Sequence, residues 1–300
     1  MLTVFVEHLL PVFLTAGTGW FLAARLGVHP EPISKLAFWI LAPSLIFKLL
    51  VANGISGDEV LRMAGFTASV LLLLCLAAAG LGMALRWPKP RIAGLCLVVL
   101  LPNAGNFGLP VTRFAFGEPG LAQAGVFFVT ASVLTYTVGV FVASLGRRGP
   151  REALLGLARV PTLYAVAVGF VLVMTGRTLP GPLDRTVNLL ADACIPVFLI
   201  VLGMQLRNAS WRGAWGGLTA AWVLRLGGGA VLGLLLAPLF GLQGAARQAG
   251  IAETAMPSAV ITIILATEYD ADPAFVTAAV ATSTVLSPLT LTPLLAYLGA

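Results

Sequence analysis

Two amides, Asn103 and Asn106, stand where an apolar sequence should carry no polar side chain. They belong to Leu101-Pro102-Asn103-Ala104-Gly105-Asn106-Phe107-Gly108-Leu109-Pro110, in the middle of the apolar segment from Ile92 to Phe116. Pro102 and Pro110 each lack a backbone N–H and clash with the preceding helical turn. Gly105 and Gly108 weaken helix propensity further. A broken backbone at bilayer depth must satisfy its freed N–H and C=O groups inside protein or against water. In secondary transporters such breaks mark substrate sites near the midplane. The amides either hydrogen-bond a substrate or satisfy the freed carbonyls. The plainer alternative, a helix kinked on small residues, needs less than two prolines, two asparagines and two glycines in ten positions. The helix halves that the prolines separate would aim N-terminal dipoles, each equivalent to about half a positive charge, at an anion.

A second set of residues is charged. Glu253 lies inside an apolar segment, one turn before Pro257 and Ser258. A carboxylate at that depth costs a few kcal/mol unless it is paired or protonated. It is therefore either a proton- or ion-coupling group or half of a buried pair with Arg225, which also falls near mid-span. Asp192 carries the same ambiguity. Arg113 either attracts an anion or snorkels outward. The candidate substrate-binding residues are Pro102, Asn103, Gly105, Asn106 and Pro110 at one break and Pro257 and Ser258 at the other, the prolines shaping the site more than touching the ligand.

The composition identifies the solvent. Hydrophobic residues make up 59% of the 300, charged residues 10%, and mean hydropathy is +0.98. A soluble domain carries about 25% charged residues, so this is an integral membrane protein. The net charge of +6 reads as loop topology signals, not as a nucleic-acid footprint. Cys75, Cys96 and Cys194 sit in apolar runs and offer no disulfide framework. Nothing resembles a metal or cofactor site. Gly227-Gly228-Gly229 lacks the Lys-Ser/Thr and preceding strand of a phosphate loop, so close helix packing explains it. An intramembrane enzyme is disfavoured, because no nucleophile–base or metal constellation is present.

At about 20 residues per span, the chain accommodates roughly ten helices, giving an all-α polytopic protein. The spans read Val4–Ala24, Ile33–Ala52, Leu61–Leu85, Ile92–Phe116, Leu121–Leu145, Pro161–Thr175, Leu183–Leu206, Ala214–Phe240, Ala245–Thr267 and Phe275–Leu298. The first is a retained helix: no basic segment precedes it and no small-residue cleavage site follows. Pro30-x-Pro32 recurs as Pro180-x-Pro182, Pro43 as Pro196, Arg91-Ile92-Ala93-Gly94 as Arg247-Gln248-Ala249-Gly250, and Glu118-Pro119 as Asp272-Pro273. These matches keep their order at offsets of 150 to 156 residues. Residues 1–145 and 161–300 are thus expected to be two five-helix repeats joined by a short cytoplasmic linker, 146–160. An odd number of spans per repeat inverts the second copy. Eleven basic residues on the links after odd-numbered spans, against six on the others, put both termini outside a plasma or inner membrane.

Spans 4 and 9 together resemble the auxin efflux carrier family of permeases, within the bile acid/auxin transporter-like superfamily. The residues carrying the likeness are Asn103 to Pro110 with Phe116-Gly117-Glu118-Pro119-Gly120-Leu121. Beside them stand Ala255-Met256-Pro257-Ser258 and Leu265-Ala266-Thr267-Glu268-Tyr269-Asp270-Ala271-Asp272-Pro273. The resemblance implies that spans 4 and 9 cross as broken helices. It also implies a scaffold domain of spans 1, 2, 6 and 7, a transport domain of spans 3–5 and 8–10, homodimerisation through the scaffold, and elevator-like movement of a small organic anion such as a carboxylate or auxin-like acid, with a proton or sodium as the candidate coupling ion. Plant auxin carriers have a long hydrophilic midpoint loop, and its replacement here by residues 146–160 points away from auxin itself. A receptor that binds a small acid on the same fold without flux is the rival reading.

Overall fold

The computed structural model describes residues 1–53, 55–144, 160–208 and 217–300. Residues 146–159 of the linker, with Arg147, Arg148, Arg151 and Arg159, and also Arg212, lie outside the described residues. Among the described residues the chain is helical, with no strand and one isolated backbone bridge between Pro102 and Ser258.

Helix boundaries follow from local chemistry. The first helix, α1 (Leu2–Leu26), ends at Gly27 in the left-handed region (φ 64°), which glycine enters without a Cβ penalty. Pro30 then opens α2 (Pro30–Ala52), where its missing N–H would have no partner anyway. A capping box starts α3 (Gly57–Ala84): Glu59 N–H donates to Ser56 Oγ at 3.2 Å, and Ser56 N–H donates to Glu59 Oε2 at 2.9 Å. Next comes α4 (Lys89–Leu100), which stops at the first break.

Residues from Ala104 to Ala143 form α5, a rod bent at Gly117 (φ 65°, ψ −162°). A straight helix at 1.5 Å per residue would hold Gly105 and Phe128 more than about 30 Å apart. Instead, a Cβ on Gly105 would meet the Phe128 ring at 2.8 Å, so the chain reverses at Gly117-Glu118-Pro119 and its second arm returns along the first. Then follow α6 (Pro161–Thr175), α7 (Gly181–Asn208) and α8 (Leu218–Leu236). The second break separates α9 (Gly244–Thr254) from α10 (Ile261–Tyr269). Last is α11 (Pro273–Leu298), with Asp272 accepting from Phe275 N–H at 3.3 Å as its N-cap.

Seven of the described helices (α1, α2, α3, α5, α7, α8 and α11) are long and apolar enough to cross a membrane; α6, at 15 residues, is shorter. The sequence reading of ten spans differs for two physical reasons. Each break cuts an apolar segment into halves too short to qualify, and the Gly117 bend merges half of span 4 with span 5 into one 40-residue element.

Small residues let these helices touch backbone to backbone, the usual route to association where lipid offers no hydrophobic drive. A Cβ on Gly19 would lie 1.9 Å from the Ile200 carbonyl oxygen, and one on Gly203 would lie 1.7 Å from that of Ala16. The α1–α7 contact is therefore intolerant of side chains. Gly203→Val is expected to cost more than the ~1–3 kcal/mol of ordinary overpacking, because a backbone carbonyl cannot move aside. Thermal unfolding of the purified protein in detergent checks this, and a wild-type melting temperature would disprove the contact.

Candidate substrate site at two paired helix breaks

Proline fixes where each break falls. A residue preceding proline is pushed out of the helical region, and Leu101 before Pro102 has φ −108°, ψ 89°. Met256 precedes Pro257 in the same way. The two interrupted stretches then satisfy each other. Asn103 N–H donates to the Pro257 carbonyl at 2.7 Å, and Ala259 N–H donates to the Leu101 carbonyl at 2.9 Å. Prolines cost each segment a donor, and antiparallel pairing returns acceptors and donors that a buried backbone must place. Ser258 reinforces the joint. It is fully buried; its hydroxyl donates to the Val98 carbonyl at 2.8 Å and its N–H to Ser283 Oγ at 3.3 Å.

Beyond each break a helix restarts. The first new bond of α5 is Gly108 N–H to the Asn103 carbonyl at 2.9 Å, leaving earlier N–H groups without an intrahelical acceptor, as at any helix start. Ala104, Gly105 and Asn106 from this start, and Ala259, Val260 and Ile261 from the other, line one cavity of about 430 Å³. Pro102 and Asn103 are also on its wall. The rest comes from three other places: Lys35, Phe38 and Trp39 of α2, Phe128, Ser132 and Tyr136 of the second arm of α5, and Phe198 and Gln205 of α7. Among the described lining residues Lys35 is the only charged one. Three stretches of wider, π-helical winding reach this wall: Ala37–Leu41, Ala104–Gly108 and Thr135–Gly139. Such windings re-aim side chains and recur at functional sites.

The two amides differ. Asn106 Nδ2 donates to Gln205 Oε1 at 3.3 Å, a link from the break to α7. Asn103 is 4% exposed, and its Nδ2 has no hydrogen-bond partner. A buried amide donor left open is costly, and here it belongs to a residue on the cavity wall.

Of the other candidates, Pro110 is buried in the first turns of the restarted helix, and neither it, Pro257 nor Ser258 is on the cavity wall. Glu253, on the last turn of α9, is fully buried and equally away from that wall. Thr112 Oγ1 donates to its Oε1 at 3.1 Å, and Oε2 has no partner. Only a glycine fits opposite: a Cβ on Gly108 would lie 2.2 Å from Oε2.

The buried Glu253–Arg225 pair that the sequence left open is not formed. Arg225 is fully buried too, but its guanidinium donates to the backbone carbonyls of Val99 and Thr254. Asp192 forms an ion pair with Lys48 at 2.6 Å on α7 and α2, with 63% of its side chain exposed, away from the breaks. Arg113 turns outward and pairs with Glu118 at 2.9 Å. Sequence reasoning missed Thr112, Gln205, Tyr136 and Trp39, and took Lys35 for a topology marker. Of these only Gln205, an amide within an apolar span, carried a readable signal.

The profile of a family described as "Membrane transport protein" matches residues 4–295. The chain is 28% identical over 275 residues to an uncharacterized transporter of Methanocaldococcus jannaschii, covering 87% of each chain. It is 27% identical over 298 residues to an uncharacterized transporter of Methanothermobacter thermautotrophicus, covering 95% of each. With the uncharacterized transporter YfdV of Escherichia coli it shares 25% identity over 223 residues, 69% of this chain and 70% of that one. Apolar multi-helix architecture, the broken-helix motifs and a match over nearly the whole length agree: the chain is an integral, multi-pass membrane protein of the membrane transport protein family, the auxin efflux carriers.

Proposed function

We propose that the chain is a secondary transporter that moves a small organic anion across the membrane by an elevator-type movement. The observation that carries this reading is the cavity between the paired breaks. Two helix starts meet there, each worth about half a positive charge, and Asn103, whose buried Nδ2 has no partner, and Lys35 lie on the same wall. Its mostly apolar remainder keeps the dielectric low, so these partial charges act strongly on a carboxylate.

The moving unit is the group α3, α4, α5 and α8–α11, and the fixed unit is α1, α2, α6 and α7. Glycine contacts within each group support this division. Gly19 and Gly203 join α1 to α7, and Gly169 seats on Leu50 of α2. In the other group, Gly82 meets Ile92, Gly94 meets the Ala271 carbonyl, and Gly233 meets Thr254. The Asn106–Gln205 hydrogen bond crosses between the groups, where a moving unit would have to release and remake it. The wider architecture we propose is ten crossings in two inverted five-helix repeats, both termini outside, and a homodimer through the fixed unit. Ordered repeat matches and paired breaks in corresponding segments support it.

Uptake of labelled mono- and dicarboxylates into proteoliposomes tests the function. Saturable flux of at least one acid is expected, and binding of an acid without flux across the panel would favour the receptor reading. Lys35→Gln removes the one lining cation among the described residues and is expected to raise KM about fivefold with kcat kept, because one charge contributes about 1 kcal/mol at an exposed site. An unchanged KM would remove Lys35 from the site.

A further inference from the structure

Arg225 sits on the π-helical stretch Val223–Gly228 of α8, with no exposed surface. Among the described residues no carboxylate forms an ion pair with its guanidinium. One terminal nitrogen donates to the carbonyl of Val99, in the last turn of α4, and the other to that of Thr254, the final residue of α9. Both carbonyls belong to helix ends whose last C=O groups have no intrahelical donor. Each such end carries the equivalent of about half a negative charge, so the two together match one guanidinium. The approach is built in: a Cβ on Gly229 would lie 2.0 Å from the Thr254 carbonyl oxygen and 2.9 Å from the Arg225 guanidinium, and one on Gly233 would lie 2.3 Å from the Thr254 hydroxyl. Gly229 and Gly233 thus let α8 come close enough for a rigid fork to reach two backbones at once.

We propose that Arg225 is the positioning residue of the paired breaks. One guanidinium clamps the carbonyl ends of α4 and α9 and thereby sets the register in which Leu101–Asn103 and Pro257–Ala259 pair. Val99 precedes the first pairing residue by two positions, and Thr254 precedes Pro257 by three. That register decides where Asn103 and the two restarting helices face the cavity. Arginine is required over lysine because a planar fork serves two acceptors, whereas an ammonium on a flexible stem is a single point charge. The clamp itself is independent of the transport reading; only its consequence for substrate rests on it.

Hydrogen exchange read by mass spectrometry on the full chain in nanodiscs tests the clamp without any substrate, so a failed uptake panel leaves this experiment intact. In Arg225→Gln, peptides covering 99–108 and 254–262 are expected to exchange at least tenfold faster, both together, while peptides of α1 and α7 keep wild-type rates. Arg225→Gly is expected to show the same pattern, and millimolar guanidinium to restore protection at both breaks where sodium at equal concentration does not. Should Arg225→Gln fail to assemble, Arg225→Gly purified in guanidinium and then dialysed free of it reads the same change. Unaltered exchange at the breaks would overturn the proposal. So would loss of protection at one break only, loss spread equally to α1 and α7, or equal rescue by sodium.

Discussion

Replacing Asn103 by alanine is expected to weaken binding of a transported anion about 10- to 100-fold while leaving the fold intact. Asn103 is on the cavity wall, and its buried Nδ2 has no partner in the protein. No native hydrogen bond is therefore lost from the ligand-free structure through that nitrogen. A hydrogen bond to a charged ligand contributes about 1.5–3 kcal/mol, which is that range in Kd. Asn106→Ala should act differently. Asn106 already donates to Gln205, so its removal breaks a link between the break and α7 and should change kcat more than Kd. Measuring Kd, kcat and melting temperature for both variants with an acid found by the uptake panel separates the roles. If Asn103→Ala is folded and binds with wild-type affinity, the anion sits elsewhere.

The breaks were legible because proline, asparagine and glycine are expensive in lipid, and their cost is visible in one dimension. Pro102 and Pro257 fall where the helices stop, and the Gly117–Pro119 turn falls between spans 4 and 5 as read. What the two breaks do to each other was not legible. Pairing Pro102 with Ser258 joins positions 156 residues apart, and only backbone groups take part. The same limit explains Arg225. Sequence displays charged side chains but not helix-end carbonyls, so a buried cation appears to need a carboxylate, and Glu253 was the nearest in reading. The structure gives the cation two carbonyls and gives the carboxylate a threonine. Asp192 looked isolated for a related reason, since Lys48 lies 144 residues before it.

The cavity wall was the least legible part. Lys35, Trp39, Tyr136 and Gln205 come from three helices, and which side of an all-round apolar helix faces a cavity is set by packing rather than by periodicity. The π-helical windings at Ala37–Leu41 and Thr135–Gly139 rotate two of these side chains, Trp39 and Tyr136, relative to a regular helix. No composition signal marks such a winding, because it is a response to neighbours.

Glu253→Gln is expected to abolish accumulation driven by a pH gradient, while exchange of substrate across the membrane and the melting temperature survive. Glutamine keeps the shape of the side chain and the acceptor for Thr112 Oγ1, so stability should change by no more than about the 1 kcal/mol of a single hydrogen bond. No ion pair with Arg225 exists to be broken, so the loss of 3–5 kcal/mol that follows from leaving a buried cation without its partner is not expected. What disappears is the ability to bind and release a proton at this position. Gly108→Ala supplies an independent arm, since its Cβ would lie 2.2 Å from Oε2 and must displace the carboxyl. It should lower the melting temperature and stop accumulation together. Adding Glu253→Ala to Gly108→Ala opens the space again and should restore stability but not accumulation. Wild-type accumulation in Glu253→Gln under a pH jump would remove the carboxyl from coupling. Full recovery of accumulation in the double variant would show that Gly108 matters through packing alone.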